Sequence, residues 1–156
     1  MKYKILFVLI ICLLFGCSQI IKNNIIDSIR SDIKNKISQN EKNIKINLSD
    51  FTSFKWDDCY IIDGPYSAED IRNIMNIHYS GETNLSDDET LFFVFKDKIV
   101  YKEVFSDQSE SEIQFNKINQ NDKVPHYTFN NSKFKVSVEE TYEGSGKMFY
   151  NLVPIK

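Results

Sequence analysis

The sequence predicts an α+β fold, an antiparallel sheet of four to five strands with helices on one side, preceded by an amphipathic N-terminal helix. Three observations carry this. Isoleucines recur at helical spacing between residues 18 and 46, aromatic residues become frequent from Leu48 onward, and the late strands are joined by short turns that force antiparallel neighbours. A chain of 156 residues is about one domain, and its 42% hydrophobic content is enough for a core. Five Gly and three Pro argue against a fibrous or low-complexity chain. The formal charge of -3 leaves no positive surplus for a polyanion, so no nucleic-acid partner is expected.

Residues 1–16 read as an export signal. Lys2 and Lys4 precede an apolar run from Ile5 to Phe15, which is too short for a permanent span of about 20 residues. The run ends in Leu14-Phe15-Gly16-Cys17. This junction resembles the lipobox of bacterial lipoproteins, although Phe15 stands where a small or β-branched residue is commoner. In that family the cysteine sulfur receives a diacylglyceryl group and the chain is cut just before it. The resemblance implies lipidation at Cys17, an exported protein, and attachment to the cell envelope, at the outer membrane if the cell has two. Each buried CH2 contributes about 0.8 kcal/mol, so two or three acyl chains hold stably where one does not. With Cys12 removed and Cys17 acylated, Cys59 is the remaining thiol and no intramolecular disulfide can form. Its apolar strand neighbours Tyr60 and Ile61 suit a buried small hydrophobe.

Residues 17–46 are the expected lipidated tether and amphipathic helix. Ile21, Ile25, Ile26, Ile29, Ile33, Ile37 and Ile44 share one helical face opposite Lys22, Ser31, Lys34 and Asn35. Isoleucine and asparagine are middling helix formers, so packing against the domain must stabilise this segment. Residues 47–156 form a single α+β domain. Cys59 to Asp63 reads as a strand, Gly64-Pro65-Tyr66 as a turn, and Ser67-Ala68-Glu69-Asp70 as a capping box. The helix it opens carries Ile71, Ile74, Met75 and His78 on one face and stops at Ser80-Gly81. Leu91 to Phe95 is apolar on both faces, hence a central strand, and Lys96-Asp97-Lys98 turns the chain into a partner strand from Ile99 to Phe105. Residues 106 to 125 read as an irregular connection, with Tyr127 to Phe129 as a separate short contribution. Phe134, Val136 and Val138 alternate with polar residues as a strand with one wet face. Glu143 to Lys147 is a hairpin loop leading to a last strand, Met148 to Ile155.

The segment from Asn47 through Trp56-Asp57 to Gly64-Pro65-Tyr66 resembles a group of small, largely uncharacterised bacterial lipoproteins and secreted proteins. That resemblance implies a fold and no activity. Structurally, Trp56 can close a sheet edge with Asp57 as acceptor for its indole N–H, and Tyr66 can staple onto Ile71. Functionally, Trp56, Asp57 and Tyr66 would form an exposed patch that grips a protein partner.

Catalytic signatures are missing from the sequence. His78 and His126 lack Cys or His neighbours at metal-ligand spacing, so no metal is expected. Asp57-Asp58, Asp87-Asp88-Glu89 and Glu139-Glu140 are adjacent pairs that a strand points to opposite faces, and none has calcium-loop spacing. Gly144-Ser145-Gly146-Lys147 lacks the partner glycine of a phosphate loop, and Met148 replaces its Ser or Thr. No cofactor and no enzyme activity are therefore expected. The sequence points to a lipid-anchored, non-enzymatic envelope protein that binds a protein partner, for example an immunity lipoprotein that neutralises a toxin. The alternatives are a structural or assembly lipoprotein, and a small hydrolase or ligand carrier with a deep pocket between the sheet and the Ser67 helix. The anchor is directly testable. Cys17→Ser should abolish incorporation of labelled palmitate and release the protein from the membrane fraction; identical labelling and fractionation would remove the anchor.

Overall fold

Helix α1, Ile25–Ser38, begins where the Asn24 side chain accepts the Asp27 N–H at 3.3 Å. A second and stronger cap comes from far away in the sequence. The Glu103 carboxylate accepts the Ile25 N–H at 2.8 Å and the Ile26 N–H at 3.1 Å, so the positive end of the helix meets a full negative charge. In the computed structural model, which describes residues 24–105, 111–140 and 146–155, Ile25, Ile26, Ile29 and Ile33 are buried in the main core. Each such side chain contributes roughly 2 kcal/mol or more by leaving water. The main core therefore includes α1, upstream of residue 47.

Eight strands follow among the described residues: β1 Lys45–Asn47, β2 Asp58–Ile62, β3 Glu89–Phe95, β4 Lys98–Phe105, β5 Ser111–Phe115, β6 His126–Thr128, β7 Lys133–Glu140 and β8 Met148–Pro154. The α+β class holds, but the strands divide between two four-stranded sheets instead of forming one. Sheet A has the order β1-β7-β8-β5, and sheet B the order β4-β3-β2-β6. All pairings are antiparallel except β5 with β8, which runs parallel. Thus part of the expected irregular connection is a strand, Ser111–Phe115, while residues 106–110 lie outside the described residues. Most of the expected hairpin loop, Glu143 to Ser145, also lies outside them.

Strand β3 explains why two layers are needed. Leu91 and Phe93 point into one cluster with α1 and sheet A, and Phe92 and Val94 point into a second cluster with Ile62, Tyr66, Ile71 and Met75. A strand apolar on both faces must be covered on both, and here sheet A and α1 cover one face while helix α2, Ala68–Met75, covers the other. The two helices consequently lie in clusters on opposite faces of sheet B, not on one side. Between the sheets the packing is aromatic: Trp56 meets Phe93 edge-on at 4.9 Å, and Tyr127 meets Phe134 at 4.8 Å.

Local chemistry sets the remaining boundaries. Ser67 and Asp70 form the reciprocal capping box of α2, and hydrogen bonds from the Ser67 side chain and then its backbone lower the Asp70 pKa. Asn76 in the left-handed region (φ 54°) ends α2, its N–H donating to the Arg72 carbonyl at 2.9 Å. His78 is therefore beyond the helix and exposed, not on its apolar face. Lys96 and Asp97 take positive φ (50° and 60°), the two-residue turn whose twist matches a hairpin. Gly64 is needed for close approach, since a Cβ there would collide with the Ser86 carbonyl oxygen.

The Glu103 cap predicts a measurable loss. Glu103→Ala strands two helix N–H donors and the Tyr101 hydroxyl, and should lower unfolding stability by about 2–4 kcal/mol in denaturant titration. Glu103→Gln, which keeps one acceptor, should recover part of it. A loss no larger than that of an exposed substitution would show that the cap contributes little.

Candidate functional site

Trp56 and Tyr66 are each 3% exposed and belong to different clusters on opposite faces of sheet B. They do not form the exposed partner-gripping patch, because each is required as core. The Trp56 indole donates to Thr52 Oγ1 at 3.0 Å, not to Asp57. The Asp57 carboxylate instead accepts the Lys96 N–H at 2.9 Å and holds the β3–β4 turn. Tyr66 shares its cluster with Ile71 and donates its hydroxyl to Thr90 Oγ1 at 3.1 Å. Cys17 lies outside the described residues. Cys59 is fully buried, and burial, followed by the charge of Asp58, pushes its thiol well above the ordinary value, so it is a poor nucleophile.

One polar cluster is hidden by sequence order. His126 of β6 lies opposite Tyr60 of β2, and its Nε2 is 2.8 Å from Asp58 Oδ1. The Tyr60 and His126 rings stack 4.3 Å apart and nearly parallel. Partial burial, then the Asp58 charge, then Cys59, raise the Tyr60 phenol to about 12. A carboxylate-oriented imidazole has the form of an acid/base pair, but among the described residues no hydroxyl or thiol nucleophile bonds to it. What it does do is hold the three-residue edge strand β6 onto β2. Among the described residues no group of three or more His, Cys, Asp or Glu side chains is placed to hold a metal ion, and no helix is long and apolar enough to cross a membrane.

The space between sheet B and α2, where a ligand pocket was expected, is filled by Ile62, Tyr66, Ile71, Met75 and Phe92. The outer face of sheet A is different. Its register sets Lys45 of β1 directly opposite Lys135 of β7, with Lys133 two residues along on the same face. All three are exposed, and among the described residues none of their ammonium groups makes an ion pair or a side-chain hydrogen bond. Beside them on β8, Val153 pairs with Lys135 and is 42% exposed, and Ile155 follows at 38%. Like charges directly opposite on a sheet are destabilising by a few tenths of a kcal/mol or more. Each lysine is unremarkable in sequence, and only the strand register reveals the group.

Comparison with known proteins gives no match: no family model, no curated protein and no solved structure matches the chain.

The tyrosines generate a pH prediction. Burial first of all raises the phenols of Tyr60, Tyr101 and Tyr127 above their ordinary value, with the hydrogen bond to Glu103 adding to Tyr101. An acid whose pKa is raised by folding contributes stability that is complete below its unfolded value near 10 and is lost as pH rises toward the folded value. The protein should therefore lose stability progressively above pH 10, with phenolate absorbance and Trp56 fluorescence changing together. Free titration of every tyrosine near 10 with intact fluorescence would contradict this burial.

Proposed function

We propose that this protein is a lipid-anchored, non-enzymatic component of the cell envelope that binds an acidic protein partner through the outer face of sheet A. The Lys45–Lys135 juxtaposition carries this reading. A fold that places two ammonium groups directly opposite each other, with a third close by and, among the described residues, no carboxylate paired with them, holds a repulsion that a partner's carboxylates would remove. Val153 and Ile155 supply adjoining apolar surface, as an interface core requires. The overall charge is negative, so the face is a local exception that would orient an acidic partner. An immunity lipoprotein that neutralises a toxin is one concrete version of this function, with the tether at Cys17 keeping the domain where the toxin arrives.

The test is site-specific photo-crosslinking in envelopes of cells making the full chain. A photoreactive residue at Val153 should capture one defined protein through an Asp- or Glu-rich segment, and one at Leu85, which is 85% exposed, should not. Combined Lys45→Glu, Lys133→Glu and Lys135→Glu should lower the Val153 adduct about tenfold, since a few charge contacts are together worth at least 1.4 kcal/mol. Charge reversal in the partner's crosslinked segment should restore it. Equal adducts at both positions, or an adduct indifferent to the charge reversal, would refute the docking face.

A further inference from the structure

A cavity of about 500 Å³ opens between the two sheets, on the opposite face of sheet B from α2. That volume falls within the range of small-molecule sites, about 300–1,000 Å³. Its apolar walls are Ile61 of β2, Phe115 of β5 and Pro125, the first two buried and belonging to the main core. Its charges divide by origin. Sheet B contributes two carboxylates, Asp63 just past the end of β2 and Glu89 at the start of β3. The segment following β5 contributes an ammonium, Lys117, which spends one hydrogen on the Lys123 carbonyl at 3.0 Å and keeps two. Gln114 and Gln120 also line it, and among the described residues the side chains of Asp63, Gln114 and Gln120 make no hydrogen bond or ion pair.

We propose that this cavity binds a short peptide as a zwitterion, its α-ammonium held by Asp63 and Glu89, its terminal carboxylate by Lys117, and an apolar side chain against Ile61, Phe115 and Pro125. Carboxylates from one sheet and an ammonium from beside the other match the two ends of such a ligand, which a simple amine or a simple acid would satisfy at one end only. The Gln120 amide supplies both a donor and an acceptor for the peptide group between. The site lies between the sheets, away from the outer face of sheet A, so it stands or falls independently of the partner-binding face.

The experiment is isothermal titration of the purified full chain in detergent with the dipeptide Ala-Leu, its N-acetyl form and its C-terminal amide. Free Ala-Leu should bind, and each capped form about tenfold more weakly, the size of one lost charge-assisted hydrogen bond. Lys117→Met should bind free Ala-Leu and its amide equally, because the group that reads the carboxylate is gone. Asp63→Asn should narrow the difference between Ala-Leu and its N-acetyl form. Both residues are exposed, so unchanged thermal unfolding would confirm that the variants remain folded. Equal binding of all three dipeptides to the wild type, capped-form preferences unmoved by the substitutions, or no heat at millimolar ligand would each overturn the assignment.

Discussion

The Glu103 carboxylate ties the N-terminal helix to the sheets, and the main core depends on that tie. Its residue is 7% exposed, a depth at which an unpaired charge would be costly. It is tolerated because three donors converge on it: two backbone N–H groups of α1 and the Tyr101 hydroxyl at 2.7 Å. The same bonds fix the rotation of α1 about its axis. With Ile25 and Ile26 held on β4, Ile29 and Ile33 follow one turn and two turns later onto the same surface. Middling helix formers become a stable helix because one end is pinned and one face is dry.

Pinning α1 completes the cover of sheet B. Strand β3 has neighbours on both edges and apolar side chains on both faces, so its five central residues are all buried. Asp57 extends this order to the hairpin tip by accepting the Lys96 N–H, which steadies a turn whose two central residues, neither a glycine, adopt left-handed backbone angles. Asp58, one residue on, points to β6 and secures the other edge through His126. Two adjacent aspartates thus serve different parts of the same sheet, Asp57 the β3–β4 turn and Asp58 the β6 edge. Both carboxylates are thereby engaged in the architecture of sheet B.

What could be read from the sequence was local. The capping box at Ser67 and Asp70, the central character of Leu91 to Phe95 and the alternation of Phe134, Val136 and Val138 all depend on residues a few positions apart, and each is present. What could not be read depends on partners far away. Strand β5 has a polar sequence and pairs in parallel with β8, so no tight turn announces it. The Glu103 cap joins residues 77 and 78 positions apart. Trp56 and Tyr66 have both a core and a surface-patch reading in the sequence, because aromatic residues near a turn suit either; their burial on opposite faces of sheet B decides between them.

The same asymmetry bears on function. Groups that the sequence made conspicuous, Trp56, Asp57 and Tyr66, are spent on the fold, and those left uncompensated, Lys45, Lys133 and Lys135, become conspicuous only through register. Geometry adds a constraint. Asn24 is seven residues beyond Cys17, and an extended chain of that length reaches at most about 25 Å. Helix α1 then runs about 21 Å, and at its far end Lys36 Nζ donates to the Lys45 carbonyl at 2.9 Å, beside the lysine face. If Cys17 carries the lipid, the basic face sits a helix length beyond the point where the tether joins the domain. Three lysines near a lipid surface would add only about 1 kcal/mol each, superfluous to a protein that acyl chains at Cys17 would already hold. Held rigidly on a sheet, the same three charges have fixed spacing, which a fluid bilayer does not need and a folded acidic partner can match.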